Sequence, residues 1–155
     1  MMETVLITGG TGLVGQALTD LLLSKGHQVI VLSRKKSEKN QNDNIKYAYW
    51  DVKNKIIDIA SLQEADYIVH LAGAGVVDKK WTKVYQQEII DSRVKSSELI
   101  IEALKNNPHK IKAIISASAI GWYGPDMNIN YQFIETDKSD GDFLGSTCKL
   151  WEESV

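Results

Sequence analysis

Glycines at positions 9, 12 and 15 carry the most specific chemistry this chain offers. They follow an apolar, β-branched run and precede a segment patterned as a helix. The stretch Val5-Leu6-Ile7-Thr8-Gly9-Gly10-Thr11-Gly12-Leu13-Val14-Gly15 therefore reads as strand, turn and helix start. In G-x-x-G-x-x-G spacing the first glycine turns the chain tightly off a strand end. The second lets backbone approach a pyrophosphate, and the third lets helix pack closely on sheet. A helix starting there aims free N–H groups and its positive dipole end at the phosphates. The candidate dinucleotide site is thus Gly9, Gly10, Thr11, Gly12, Leu13, Val14 and Gly15. A phosphate-binding P-loop would need Gly-Lys-Ser/Thr, whereas Gly15 is followed by Gln16-Ala17.

Two further groups bear on the same chemistry. NAD-selective sites place a carboxylate on the ribose 2′-hydroxyl about 20 positions beyond the glycines. Here the second strand ends in Leu32-Ser33-Arg34-Lys35, with no acid. Arg34 can clamp a 2′-phosphate, Ser33 can donate a hydrogen bond and Lys35 adds charge, so NADP(H) is the expected cofactor. The competing reading, a solvated cluster of loop charges, is disfavoured because a second-strand end lies beside the adenosine ribose. Arg93, on a helix, has Ile89, Ile90, Ser96 and Ser97 as its neighbours three and four residues away, with no carboxylate among them. It reads equally as a cation holding an anionic substrate or pyrophosphate oxygen and as a plain solvated charge.

These residues need elements to position them. Residues 4–8 read as a short buried strand. Leu13, Val14, Ala17, Leu18, Leu21 and Leu22 recur at helical spacing, with Gly26 at a C-cap position. A second strand spans 29–32, a polar exposed connection 34–44, and a third strand 45–50, ending at Asp51. A short helix is expected within 56–65 and a fourth strand over 67–71, closed by Ala72-Gly73-Ala74-Gly75. A long helix over 82–106 carries Ile90, Val94, Ser97, Ile101 and Leu104 on one stripe and stops at Asn106-Asn107-Pro108. Residues 111–116 form a fifth strand, and a last helix begins at Phe143 and is still in register at Val155. The alternation predicts the α/β class, a doubly wound parallel sheet with helices on both faces. Five strands suffice for a nucleotide-binding core and leave no room for a substrate domain. The expectation is that residues 1–155 are one cofactor-binding domain from the N-terminal part of a longer protein.

Composition narrows the class. A length of 155 residues suits one domain, and 43% hydrophobic with 25% charged residues is ordinary for a soluble globular chain. A net charge of −2 offers no broad basic face, so no nucleic-acid or membrane partner is expected, and no apolar run approaches a membrane span. The single Cys148 excludes an intramolecular disulfide and forms no metal set with the scattered His27, His70 and His109. Met1-Met2-Glu3 runs directly into strand without the cationic start and apolar core of a signal peptide, so the expected address is cytoplasmic.

The motif Thr8-Gly9-x-x-Gly12-x-x-Gly15 resembles the extended short-chain dehydrogenase/reductase superfamily. Three more stretches are similar to its epimerase-family, or sugar-nucleotide-epimerase-like, branch: Val69-His70-Leu71-Ala72-Gly73-Ala74, then Trp81 with Ile89-Ile90-Asp91-Ser92-Arg93-Val94, then Ser116-Ala117-Ser118-Ala119-Ile120-Gly121-Trp122-Tyr123-Gly124. Phe143-Leu144, Cys148 and Trp151-Glu152 fit the same branch. The resemblance implies an NAD(P)-binding Rossmann fold, epimerase-like or oxidoreductase activity and a small-molecule substrate, with sugar nucleotides as the candidate class. It also implies a further C-terminal portion of similar size. Asp51 resembles the aspartate that bonds the adenine amino group, and reads equally well as a strand-end turn residue. Leu71, Ala72 and Gly73 are expected to wall the adenine-side ribose and pyrophosphate. His70 reads as a buried strand histidine rather than a catalyst.

Enzymes of that superfamily pass a hydride to or from the nicotinamide while a helical Tyr-x-x-x-Lys pair handles the proton and a serine bonds the reacting oxygen. Ser118 best matches the serine, with Ser116 as runner-up. Taking Lys149 as the lysine puts Gly145 at the tyrosine position; the register one earlier gives Leu144 and Cys148. Neither contains a phenol. Tyr123 is the candidate acid from another direction, and Tyr131 a more remote one. The alternative is a non-catalytic module that senses NADPH. Trp122 and Trp151 read first as packing residues, and Cys148 as a buried structural thiol.

Overall fold

The computed structural model describes residues 2–35, 44–126 and 130–155. In chain order the elements are β1 (Thr4–Thr8), α1 (Leu13–Ser24), β2 (Gln28–Ser33), β3 (Ile45–Asp51), β4 (Ile56–Ile57), α2 (Ile59–Glu64), β5 (Tyr67–His70), α3 (Lys83–Asn106), β6 (Ala113–Ser116) and α4 (Phe143–Glu153). A single 3₁₀ turn, Ile120–Tyr123, follows β6. Most of the polar connection read over 34–44, residues 36–43, lies outside the described residues.

The strands line up as β4-β3-β2-β1-β5-β6. From β1 the chain steps outward through β2 and β3, then returns to the other side of β1 for β5 and β6. The order reverses between β1 and β5, and ligands bind outside the strand ends at such a point in open α/β sheets. All neighbours except β3 and β4 are parallel.

Side-chain alternation explains the layers. Leu6 sits between Ile30 of β2 and Ile68 of β5. These join Leu32, Ala48 and Trp50 against Leu62 of α2 and Leu99, Ile100 and Ala103 of α3. Val5, Ile7, Val29 and Val31 point to the opposite face, against Leu18, Leu22 and Leu23 of α1. A register slip of one residue would exchange the two sets, so the pairing is strongly specified. At the end of α1, Gly26 takes φ 79° and closes a Schellman turn, with His27 N–H donating to Leu22 O at 3.0 Å and Gly26 N–H to Leu23 O at 2.9 Å.

Two expectations need correction, the number of strands and the end of the last helix. The short helix expected within 56–65 is present, but the five strands become six: Ile56 and Ile57 turn back through Lys55 (φ 53°) and pair antiparallel with Asp51 and Trp50. The helix starts only at Ile59, after Asp58 accepts Ser61 N–H at 3.0 Å. Helices flank both faces as expected: on the second face, among the described residues, α1 lies beside β1 and β2, while Ile115 of β6 is 58% exposed. Finally, α4 does not run through Val155. Ser154 closes it, its N–H and Oγ both donating to Trp151 O, at 3.1 and 2.6 Å.

At the other end of α4, Asp142 accepts Gly145 N–H at 2.6 Å. Asp142→Ala is expected to cost about 1 kcal/mol, the usual value of an N-cap, read as a lower thermal midpoint. An unchanged midpoint would mean that packing alone holds α4.

Candidate functional site

At the end of β1, Gly9 turns with φ 68°, a left-handed conformation that glycine adopts without strain. It also has no room for a side chain: a Cβ there would lie 2.8 Å from the Leu71 carbonyl carbon. The turn is thus seated directly on the chain leaving β5. Gly15 is buried beneath it, where a Cβ would meet Gly9 O at 2.4 Å and Gly10 Cα at 2.6 Å. Gly12 differs, because its nearest neighbour would be Gly9 O at 3.3 Å and the residue is exposed.

Gly12 is also the N-cap of α1, and no side chain caps that helix. The first turn of any helix leaves N–H groups without intrahelical partners. In α2, α3 and α4 the side chains of Asp58, Thr82 and Asp142 satisfy one of them. At α1 no side chain does so, and Thr11, Leu13 (89% exposed) and Val14 (65% exposed) at that helix start are open to solvent. This is a cradle that fits an anionic diphosphate.

The second wall is held by a buried network. Thr8 Oγ1 accepts the N–H groups of Leu71 and Ala72, each at 3.1 Å, so its own proton goes to His70 Nδ1, 2.6 Å away. Ser96 Oγ donates to the carbonyls of its own helix and lies 3.1 Å from His70 Nε2. The proton inventory assigns His70 the neutral Nε2–H tautomer. Burial pushes its pKa down from 6.5 to about 4, against an opposing hydrogen bond to the Arg93 backbone. His70 is therefore the buried strand histidine expected, and it also fixes where Leu71 and Ala72 lie.

Beyond them, α3 grips the loop. Ser92 Oγ accepts Ala74 N–H at 2.9 Å, Arg93 Nη1 donates to Ala74 O at 3.1 Å, and Tyr85 OH donates to Gly75 O at 2.5 Å. Arg93 is half-buried, with Nη1 also donating to Ile89 O at 3.0 Å and its guanidinium carbon 5.1 Å from the Trp151 ring. Desolvation lowers its pKa. It is not a plain solvated charge.

At the outer end of β2, Arg34 and Lys35 are exposed, and Ser33 Oγ accepts Lys35 N–H at 3.1 Å. Asp51 accepts Asn54 N–H at 3.1 Å and Asn54 Nδ2 at 2.8 Å, and the Asn54 side-chain bond leads the effects that lower its pKa. It serves the β3–β4 turn. Across the sheet, Ser118 Oγ donates to Glu152 Oε1 of α4. Lys149 pairs instead with Glu153, at 3.9 Å, and Tyr123 stacks on Phe133 with ring centres 4.9 Å apart. Among the described residues no hydrogen bond or ion pair joins Ser118, Tyr123 and Lys149 to one another. Ser116 Oγ donates to Ala117 O, and Tyr131 OH donates to Asp137, a bond that raises the phenol's pKa. Cys148 is buried, its pKa raised by desolvation, and Trp151 is buried with it; Trp122, half-buried, donates its indole N–H to Asp137 O at 2.9 Å.

Residues 5–144 match the model of the NAD dependent epimerase/dehydratase family. The chain belongs to that family. Epimerase family protein YfhF of Bacillus subtilis is 34% identical over 149 residues, which cover 96% of this chain and 48% of that protein. The crystal structure of human epimerase family protein SDR39U1 with NADPH superposes with a TM-score of 0.77 at 28% identity, over 97% of this chain and 48% of that one. A nucleoside-diphosphate sugar epimerase from Corynebacterium glutamicum gives 0.76 at 34% identity, covering 99% of this chain and 30% of that one. The chain spans about half the length of the curated relatives it matches. As the family implies, the fold is the Rossmann-type, NAD(P)-binding doubly wound sheet. No helix among the described residues is long and apolar enough to cross a membrane.

Within this family member, sequence reading assigned no function to Thr8, Tyr85, Ser92, Ser96 or Glu152. A hydroxyl closing the apolar run Val5-Leu6-Ile7 at Thr8, and the pair Ser96-Ser97 on a buried helix stripe, were the available signals.

Proposed function

We propose that this chain is the cofactor-binding part of an NADP(H)-dependent epimerase-like or oxidoreductase enzyme of the family. In this reading the diphosphate lies over Gly9 to Gly15, with Thr11, Leu13 and Val14 around it, against the wall of Leu71, Ala72 and Gly73. The observation that carries it is the open, uncapped start of α1 at Gly12, set beside a glycine turn seated on Leu71. Ser33, Arg34 and Lys35 receive the 2′-phosphate; they carry no acid and two cations, and the human relative SDR39U1 was crystallised with NADPH. Asp51 adjoins the adenine. Bound nicotinamide would supply or accept a hydride, Ser118 would bond the reacting oxygen, and Tyr123 and Lys149 are the groups available for the proton. The substrate is a small molecule, with sugar nucleotides the candidate class, and its domain lies in a further C-terminal portion. The working compartment is the cytoplasm.

Arg34→Ala is expected to weaken NADPH binding by about 10-fold to 100-fold, the range of a charge-assisted hydrogen bond, and to leave NADH unchanged. Fluorescence titration with both nucleotides reads this directly. An equal fall for both would refute the 2′-phosphate assignment. A second reading, a module that senses NADPH without turnover, is favoured by Gly145 and Leu144 at the tyrosine positions and by the pairing of Lys149 with Glu153. Turnover of any carbonyl that is lost in Ser118→Ala would exclude it.

A further inference from the structure

Arg93 is an expensive residue to place where it lies. Removing a guanidinium from water costs free energy that a carboxylate partner normally offsets. Among the described residues Arg93 has no ion pair. Its fixed partners are two neutral carbonyls, Ala74 O and Ile89 O, and both bonds use the same nitrogen, Nη1. The guanidinium lies against Gly73, where a Cβ would come within 3.0 Å of its carbon and 3.2 Å of both Nη1 and Nη2, and Nη2 makes no hydrogen bond among the described residues. Only a residue without a side chain leaves that approach open.

The position relative to the cradle is equally specific. A Cβ at Gly9 would meet the Leu71 carbonyl and Ala72 N, and Gly73 follows directly. The glycine turn, the wall and Arg93 thus form one continuous rim around the strand-order reversal. Behind the cation lies Trp151, whose indole Nε1 is buried without a hydrogen-bond partner among the described residues. A buried donor left unpaired costs about 1–3 kcal/mol. The guanidinium and the ring carrying that unused donor pack against each other between α3 and α4.

Resting on the cofactor reading above, we propose that Arg93 is an oxyanion receptor on the far wall of the cleft. It takes a phosphate or carboxylate oxygen that arrives beside Gly73, and the anion supplies the counter-charge the fold withholds. Two sources carry such oxygens: the cofactor's own diphosphate, and an anionic group of the substrate bound next to it. The planar fork suits either, because both present paired oxygens. Trp151 reports occupancy, since an anion that draws on the guanidinium changes the charge over its ring.

The test compares wild type, Arg93→Met and Arg93→Lys. NADPH is titrated first; inorganic pyrophosphate and malonate are then titrated onto the NADPH-saturated chain while the Trp151 indole ¹H–¹⁵N resonance is followed. A loss of about 10-fold or more in NADPH affinity in Arg93→Met, largely restored in Arg93→Lys, assigns the oxyanion to the cofactor. Unchanged NADPH affinity, with a Trp151 shift on anion addition in wild type and none in Arg93→Met, assigns it to the substrate. Unchanged affinity with no anion response in wild type overturns the proposal and leaves Arg93 a clamp on Ala74. So does a loss in Arg93→Met that Arg93→Lys does not recover at all, because lysine keeps the positive charge that an oxyanion requires. Failure of wild type to bind NADPH would instead overturn the cofactor reading beneath it.

Discussion

Gly12→Val is expected to reduce NADPH affinity by at least about 100-fold, roughly 3 kcal/mol, in a chain that still folds. Gly15→Val is expected to lose binding for the opposite reason, because the fold itself fails. The motif gives the two glycines different jobs, and their surroundings differ in the same sense. At Gly12 a side chain has Gly9 O at 3.3 Å and otherwise open space, so the backbone tolerates it. Its cost to stability is that of a poor N-cap, about 1 kcal/mol. What the added isopropyl occupies is the approach of a diphosphate to the α1 N–H groups. At Gly15 the first added carbon would stand 2.4 Å from Gly9 O and 2.6 Å from Gly10 Cα, and both obstacles are backbone. Separating α1 from the turn would cost roughly 3 kcal/mol or more, a large part of the ~5–15 kcal/mol that stabilises a typical domain. Circular dichroism melts and nucleotide fluorescence, read together, resolve the two cases. Native-like melting with wild-type affinity in Gly12→Val would remove the cradle from that helix end.

Much of the fold was legible because its signals are local. Val5, Leu6 and Ile7 are apolar at every position, as a strand covered on both faces must be, and the same holds for Val29 to Leu32. The helix of Lys83–Asn106 was bounded closely, since Thr82 and Pro108 punctuate it in sequence. Strand β4 was not legible. Two residues have no periodicity, and Ile56, Ile57, Ile59, Ala60 and Leu62 look like one helix until Trp50 is seen opposite Ile57. That pairing is made by a turn whose geometry no hydrophobic pattern encodes.

The site divides along the same line. The glycine turn was legible because its spacing and its flanking strand and helix are local, although Gly9 is seated on Leu71, far along the chain. Arg93 was ambiguous because sequence displays only its helical neighbours, which are apolar or hydroxyl. Its partners are Ala74 O, 19 positions back, and Trp151 on a different helix. Ser118 meets Glu152 across 34 positions, which turns the proton question toward a carboxylate that no spacing rule would have selected. Thr8 and His70 stand 62 positions apart and are adjacent only because β1 and β5 pair in register, Thr8 opposite His70. Local chemistry could be read directly, and chemistry assembled by the parallel sheet could not.

That last pair carries the second large effect. Between pH 6.5 and 4 the chain is expected to lose roughly 3 kcal/mol of stability through His70 alone. Folded, the ring is neutral down to about 4, because it is buried with Nδ1 accepting from Thr8; unfolded, it protonates at the ordinary 6.5. Across that interval the unfolded chain binds the extra proton, so stability rises with pH. The contribution is complete above 6.5 and gone below 4. Asp66, whose pKa is lowered chiefly by the Thr4 backbone N–H, also loses stability in acid, but only below the ordinary carboxylate value. Comparison with His70→Gln, which offers one acceptor and one donor but does not titrate, cancels such contributions. In urea unfolding, the advantage of wild type over His70→Gln should shrink by roughly 3 kcal/mol as pH falls from 7 to 4. A constant difference would mean His70 titrates alike in the folded and unfolded chain and is not enclosed. Cofactor affinity should fall with it. Thr8 Oγ1 can hold Leu71 and Ala72 N–H only while its own proton has Nδ1 to go to, so protonating His70 loosens the wall on which the glycine turn rests.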